Sequence, residues 1–151
     1  MVFISMLMGC DPQKISELEE GVATEAEVRA RFGEPVAVYD EADGAKTFEY
    51  PRQPEGQRNY MITIRSDGKM SALRQVLTPS NFARVTTGFD KSQVRRLLGR
   101  PAKTQVFALK VEEVWDWRFL DGSLARQFSV TFGKDGRVLS SGAMDDPREN
   151  R

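Results

Sequence analysis

Histidine is absent from the 151-residue sequence. Its absence removes the commonest general base, the Ser-His and Cys-His nucleophile pairs, and imidazole metal ligands. Cysteine occurs once, so the chain has no internal disulfide, no CxxC redox couple and no cysteine zinc site. An excess of one charge is lacking too: 22 Lys and Arg balance 22 Asp and Glu, and no whole-molecule field exists to steer nucleic acid. Nowhere does an apolar run reach the roughly 20 residues a membrane-spanning helix needs. Glycine-rich phosphate loops are missing. The acidic clusters Asp40, Glu41, Asp43 and Asp145, Asp146 fall in turns and a tail, not at the set separation across a deep cleft that paired-carboxylate chemistry demands. The expectation is a non-enzyme without metal or cofactor. The composition, 40% hydrophobic and 29% charged, is that of a folded domain.

The N-terminus is apolar and uncharged from Val2 to Cys10, then polar at once from Asp11. That run has the length of a signal-peptide core but no basic stretch before it, which implies a natural start upstream of Met1. Leu7-Met8-Gly9-Cys10 resembles a bacterial lipobox. On this reading residues 1–10 are a truncated lipoprotein signal segment. Cys10 is the lipid attachment site, and the mature chain is tethered to a membrane without spanning it. The plain alternative is a buried N-terminal strand from Val2 to Met8, with Cys10 an inert small hydrophobe.

The rest of the chain is internally repetitive. Asp11-Pro12 recurs as Thr78-Pro79, Gly21 as Gly88, and Val28, Gly33 and Pro35 as Val94, Gly99 and Pro101. Phe48-Glu49-Tyr50 recurs as Trp115-Asp116-Trp117, and the run from Met61 to Lys69 as that from Ser129 to Arg137. Self-similarity in one order points to tandem units, here 11–77 and 78–144, with a charged tail at 145–151. Within each, a capped first helix is followed by a second that opens on a capping box, Thr24 with Glu27 and Asp90 with Gln93. Gly33-x-Pro35 and Gly99-x-Pro101 end that helix. Strands follow, alternating in polarity and turned by Asp67-Gly68 and Asp135-Gly136 into a short return strand. The fold class is therefore α+β: two tandem helix-helix-strand-strand-strand repeats, each with its helices packed on one face of an antiparallel sheet. The zero net charge hides a dipole. Over 11–76 there are 9 basic and 13 acidic residues, and over 77–151 there are 13 basic and 9 acidic.

The run from Gly88 to Pro101, with Trp115-Asp116-Trp117 and Val130-Thr131-Phe132-Gly133-Lys134-Asp135-Gly136 after it, resembles the signature of the SmpA/OmlA family. That family includes the BamE-type lipoproteins of the outer-membrane β-barrel assembly machine. Gly21 to Pro35 is a looser second match. This chain carries two copies where the assembly-factor member carries one, and tandem copies resemble the secreted β-lactamase inhibitor proteins. The resemblance implies a lipid-anchored protein at the periplasmic face of the outer membrane. It would bind other envelope proteins, barrel-assembly subunits among them, in assembly or maintenance of β-barrel proteins. The alternative is an inhibitory, protein-binding module of the β-lactamase-inhibitor kind. Asp11 after Cys10 resembles an inner-membrane retention signal and leaves that membrane open.

Candidate partner-binding residues are the basic cluster Arg95, Arg96, Arg100 and Lys103, and Arg52 and Arg58 in the long loop at 51–59. Their charge suits an acidic protein patch or anionic phospholipid headgroups. A solvated helix end favoured by the helix dipole, and a solvated spacer loop, are the plain alternatives. The aromatic stripe Trp115, Trp117, Phe119 with Phe48 and Tyr50 reads as a core face, leaving Glu49, Arg65 and Arg118 on the opposite, solvent side.

Overall fold

The computed structural model describes residue 15 and residues 17–149. Cys10, the lipobox and Asp11-Pro12 lie outside the described residues, as do the last two residues of the tail. The chain carries two four-stranded antiparallel sheets with helices beside them. The first part runs α1 (Glu25–Phe32), β1 (Ala37–Asp40), β2 (Lys46–Pro51), β3 (Asn59–Ile64) and β4 (Met70–Gln75). The second runs α2 (Pro79–Phe82), α3 (Lys91–Leu98), β5 (Lys103–Phe107), β6 (Glu112–Asp121), β7 (Leu124–Phe132) and β8 (Val138–Asp145). Both sheets are simple meanders, β1-β2-β3-β4 and β5-β6-β7-β8, in which the return strand after each Asp-Gly turn is the fourth.

Local chemistry accounts for the elements. The Thr24 hydroxyl accepts from the Glu27 N–H while the Glu27 carboxylate accepts from the Thr24 N–H, and Asp90 and Gln93 repeat the exchange. Each box satisfies two of the four donors a helix start leaves open. Both α1 and α3 are eight residues long and end on a glycine cap, Gly33 and Gly99. Asp67 and Asp135 each accept from the N–H two residues on, Lys69 and Arg137, which closes the equivalent turns. Gly21 donates to Met70 and Gly88 to Val138 through the backbone, and the same two strand residues donate back to Ala23 and Phe89. The loop before α1 and the loop before α3 are thus each sewn to the first residue of a fourth strand.

The chain divides into two compact units, residues 1–48 with 62–73, and residues 49–61 with 74–151. In the first, Val28, Phe48, Ile62 and Met70 are fully buried, with Leu18, Ala23, Phe32 and Ile64 around them. The Arg29 guanidinium lies over the Phe48 ring, 4.7 Å from its centre. In the second, Phe82, Val85, Val94 and Leu98 from the helical stretch pack on Trp117, Phe119, Phe128, Val130, Phe132 and Val138 of the sheet. Phe82 stacks on Phe128 at 4.1 Å and meets Phe119 edge-on at 4.7 Å.

Val94 and Leu98, one turn apart, are both fully buried. Truncation of Leu98 to alanine is expected to cost about 2–5 kcal/mol, the transfer term plus the cavity left in a packed core. Arg84→Ala, on the exposed side of the same helical stretch, is expected to cost under about 0.5 kcal/mol. Urea denaturation of the two variants beside wild type checks both.

Candidate binding surface

The second sheet has two unlike faces. Trp117, Phe119, Phe128, Val130 and Phe132 point to the helices and are buried, with Trp115 partly buried against them. By register the opposite face carries Lys103 and Gln105 of β5, Val114, Asp116 and Arg118 of β6, Gln127, Ser129 and Thr131 of β7, and Ser140, Gly142 and Met144 of β8. These residues are half-buried or exposed. The Ser129 hydroxyl donates to Asp116 at 2.6 Å and fixes the carboxylate in the middle of the face. A cleft of about 480 Å³ opens beside it, lined by Lys103, Asp116, Arg118, Gln127, Pro147 and Arg148.

Arg118 organises the far end of this face. β5 pairs with β6 only as far as Asp116, so the outward N–H and C=O of Arg118 lose their strand partner there. The side-chain amide of Gln53 takes its place: Nε2 donates to the Arg118 carbonyl at 2.8 Å and Oε1 accepts from its N–H at 3.0 Å. One buried carboxamide thereby extends the sheet by one rung. The guanidinium then gathers the surroundings. Nε donates to Asp146 at 2.7 Å, one terminal nitrogen to the Pro54 carbonyl at 3.1 Å, and the other to Glu149 at 3.2 Å. Burial works against the Asp146 charge. The Arg118 hydrogen bond, the Arg148 N–H and the two arginine charges outweigh it and hold the carboxyl below the usual aspartate range. The stretch expected as a charged tail therefore begins with a buried anchor.

The base of the loop at 51–59 meets the end of α3. Asn59, fully buried, donates from Nδ2 to the carbonyls of Leu98 and Arg100, at 2.8 and 3.0 Å, and accepts at Oδ1 from the Arg52 N–H at 3.1 Å. The Arg52 N–H also reaches the Arg58 carbonyl at 3.0 Å, which closes the loop on itself. Arg52 and Arg58 at the loop's base thus adjoin Arg100 at the end of α3. Arg100 and Lys103 are exposed, while Arg52, Arg58 and Arg96 are half-buried, with the Arg52 guanidinium 5.9 Å from the Tyr60 ring centre.

Arg95 is placed differently from the others. Its guanidinium makes a two-pronged pair with Glu49, at 3.0 and 2.9 Å, and Glu49 is fully buried. The expectation that Glu49 faces solvent is therefore corrected, whereas Arg118 does lie on the face opposite the aromatic stripe, with 12% of its side chain exposed. Both faces of β2 are covered from Thr47 to Pro51, and the carboxylate is tolerated inside because a cation meets it. Arg65 alone of that trio is exposed. Glu49, Gln53, Asn59 and Asp146 were not recognised as site residues from sequence. The only sign was a lone carboxylate between Phe48 and Tyr50.

Among the described residues no group of three or more His, Cys, Asp and Glu side chains is placed to hold a metal ion, and no helix is long and apolar enough to cross a membrane. No protein-family model matches the chain, and no curated protein sequence does. Solved structures of similar fold include a protein described as the osmotically inducible lipoprotein OsmE, 22% identical, with a TM-score of 0.41 over 46% of this chain and 75% of that one. A DUF4309-family protein, YjgB from Bacillus subtilis, is 19% identical, with a TM-score of 0.36 over 89% of this chain and 86% of its own. A protein from Streptococcus mutans described as a β-lactamase inhibitor is 12% identical, with a TM-score of 0.39 over 82% of this chain and 83% of its own.

Two outcomes follow from the ion pairs. Arg95→Ala removes the cation paired with the buried Glu49 carboxylate and is expected to cost about 2–4 kcal/mol, less than a fully buried pair because a third of the Arg95 side chain meets solvent. The double variant Arg95→Met with Glu49→Leu is expected to recover most of that loss in the same denaturation experiment. For Asp146 the folded carboxyl ionises more easily than the unfolded one. Its stabilisation is therefore present in full above the unfolded value of about 3.9 and disappears as pH falls from there through the lowered folded value. Thermal melts from pH 7 to pH 2 are expected to show a shallower acid loss in Asp146→Asn than in wild type.

Proposed function

We propose that this protein is a non-catalytic lipoprotein of the bacterial envelope that binds other envelope proteins, in the assembly or maintenance of outer-membrane β-barrel proteins. In this reading Cys10 carries the lipid at the periplasmic face of the outer membrane, and the tandem fold presents the binding surface. The observation that supports it best is the one-sided covering of the second sheet. Helices fill one face, while the other face is open and polar and carries Lys103 at its margin, with Arg100 exposed close by in the chain. Glu49 and Asp146, the buried carboxylates of this unit, are held by Arg95 and Arg118. Fixed charge pairs and an open sheet suit recognition of a protein surface. Arg52, Arg58, Arg96, Arg100 and Lys103 are the residues proposed to meet an acidic partner patch or anionic headgroups.

Expression in a bacterial host behind a lipoprotein signal peptide joined at Cys10, with fractionation of wild type and Cys10→Ala, tests the anchor. The variant is expected to leave the membrane fraction. Affinity purification after detergent solubilisation tests the partner. Barrel-assembly subunits are expected with wild type and are expected to fall at least about fivefold with Arg100→Glu combined with Lys103→Glu, a change in surface charge that acts on association. Stoichiometric inhibition of a purified β-lactamase, with no co-purifying envelope subunit, would replace this reading by the inhibitor alternative.

A further inference from the structure

The outer edge of β8 is unguarded, and the molecule supplies its own comparison. Asp146 donates from its N–H to the Ala125 carbonyl. Antiparallel strands alternate, so with the register Gln127 to Met144 and Ser129 to Gly142 the main-chain groups of Met144 and Gly142 also turn inward to β7. Those of Ala143 and Ser141 turn outward. Val138, at the start of the strand, has its outward groups bonded to Gly88 and Phe89. From Leu139 to Met144, no bond to the outer edge is made among the described residues.

In the first sheet the matching strand, β4, is protected. The Leu73 N–H, at the position equivalent to Ser141, donates to the Glu20 carboxylate at 3.3 Å, and Arg74 sets a charge on the edge beside it. The equivalent of Glu20 is Thr87, which makes no such bond. Natural sheets blunt a free edge with charge, proline or brevity. The run Leu139-Ser140-Ser141-Gly142-Ala143-Met144 has neither charge nor proline, and every one of its side chains is exposed.

Resting on the reading that this protein binds envelope proteins, we propose that the β8 edge takes an extended, unfolded segment of a partner protein as a fifth, antiparallel strand. A row of outward N–H and C=O groups recognises main chain, so the occupant is an extended polypeptide. Its ends are set by charge. Exposed Asp145, paired through one carboxylate oxygen with Arg126 at 2.8 Å, keeps the other for a basic residue at the N-terminus of the incoming strand, and exposed Arg137, which donates from one terminal nitrogen to the Gly88 carbonyl at 2.9 Å, keeps the rest of its guanidinium for an acidic one at its C-terminus. The strip suits a short segment better than a second folded copy. Its six residues run only about 20 Å and are one strand wide, far from the ~1,200–2,000 Å² a stable interface between folded proteins buries. Ser140 and Gly142 leave room beside the new strand on the open face.

Fluorescence anisotropy with a labelled peptide, Lys-Thr-Val-Thr-Val-Thr-Val-Thr-Glu, and the full chain tests this. Wild type is expected to bind it, and to bind the same peptide N-methylated at every residue between its two ends at least about tenfold more weakly, because the donors of both its edges are gone. Ser141→Pro, which deletes an outward N–H where an edge strand tolerates proline, is expected to weaken the unmethylated peptide about tenfold while leaving the melting temperature near that of wild type. Should that variant fail to fold, the methylated and unmethylated pair on wild type still decides the matter. Equal affinity for the two peptides, or no binding of either, overturns the inference. So does sedimentation showing that the edge is occupied by a second copy of this chain and that Ser141→Pro dissociates it. If the peptide experiments fail while barrel-assembly subunits still co-purify with the protein, the edge inference falls and the proposed function stands.

Discussion

One buried carboxamide holds the second unit in register with itself. Asn59 sits at the start of β3 and closes the C-terminal end of α3 by donating to Leu98 and Arg100. A helix end leaves carbonyls without partners, and burying them unpaired would cost more than the hydrogen bonds gain. Gly99 is caught between. It takes a φ of 78°, and a Cβ there would come within 2.9 Å of the Asn59 amide nitrogen. Its own carbonyl receives the Trp117 indole N–H at 3.0 Å, which lets the largest side chain of the core be fully buried. Helix end, hairpin and core tryptophan meet at one glycine, so the glycine serves packing as well as helix termination.

Two arginine–carboxylate pairs extend the same logic outward. Arg95 reaches down from α3 to Glu49 in β2, and Arg118 reaches out from β6 to Asp146 beyond β8. A buried ion pair contributes little net stability, because desolvation nearly cancels attraction, yet leaving one partner alone is expensive. Such pairs penalise every arrangement that separates them. Here the first joins β2 to α3, and the second joins the end of the chain to the second sheet. Gln53 completes the join by supplying the rung that β5 is too short to supply. The open face of the second sheet is thereby held by fixed polar contacts at Asp116 and Arg118.

The asymmetry between the repeats matters more than their likeness. Equivalent turns, caps and loop-to-strand bonds recur in both. Glu20 and Arg74 close the edge of the first sheet, and Thr87 and Ser141 do not close that of the second. Loss of such a guard costs little where the core beneath is complete.

The sequence by itself determined what depends on neighbours in the chain. The capping boxes at Thr24 and Asp90, the Gly-x-Pro stops, the Asp-Gly turns, the Val94–Leu98 face and the Trp115–Phe119 alternation are local rules of hydrogen bonding and periodicity, and each was legible in the residues concerned. Arg100 and Lys103 were visible as charges. Tertiary structure alone decided which charges are spent inside the fold. Arg95 and Lys103 look alike in sequence, but one meets Glu49 and the other meets solvent. Asn59, Gln53 and Asp146 look like ordinary loop and tail residues until partners far along the chain arrive. A polar side chain's role is set by who desolvates it, and that partner is chosen by the whole fold.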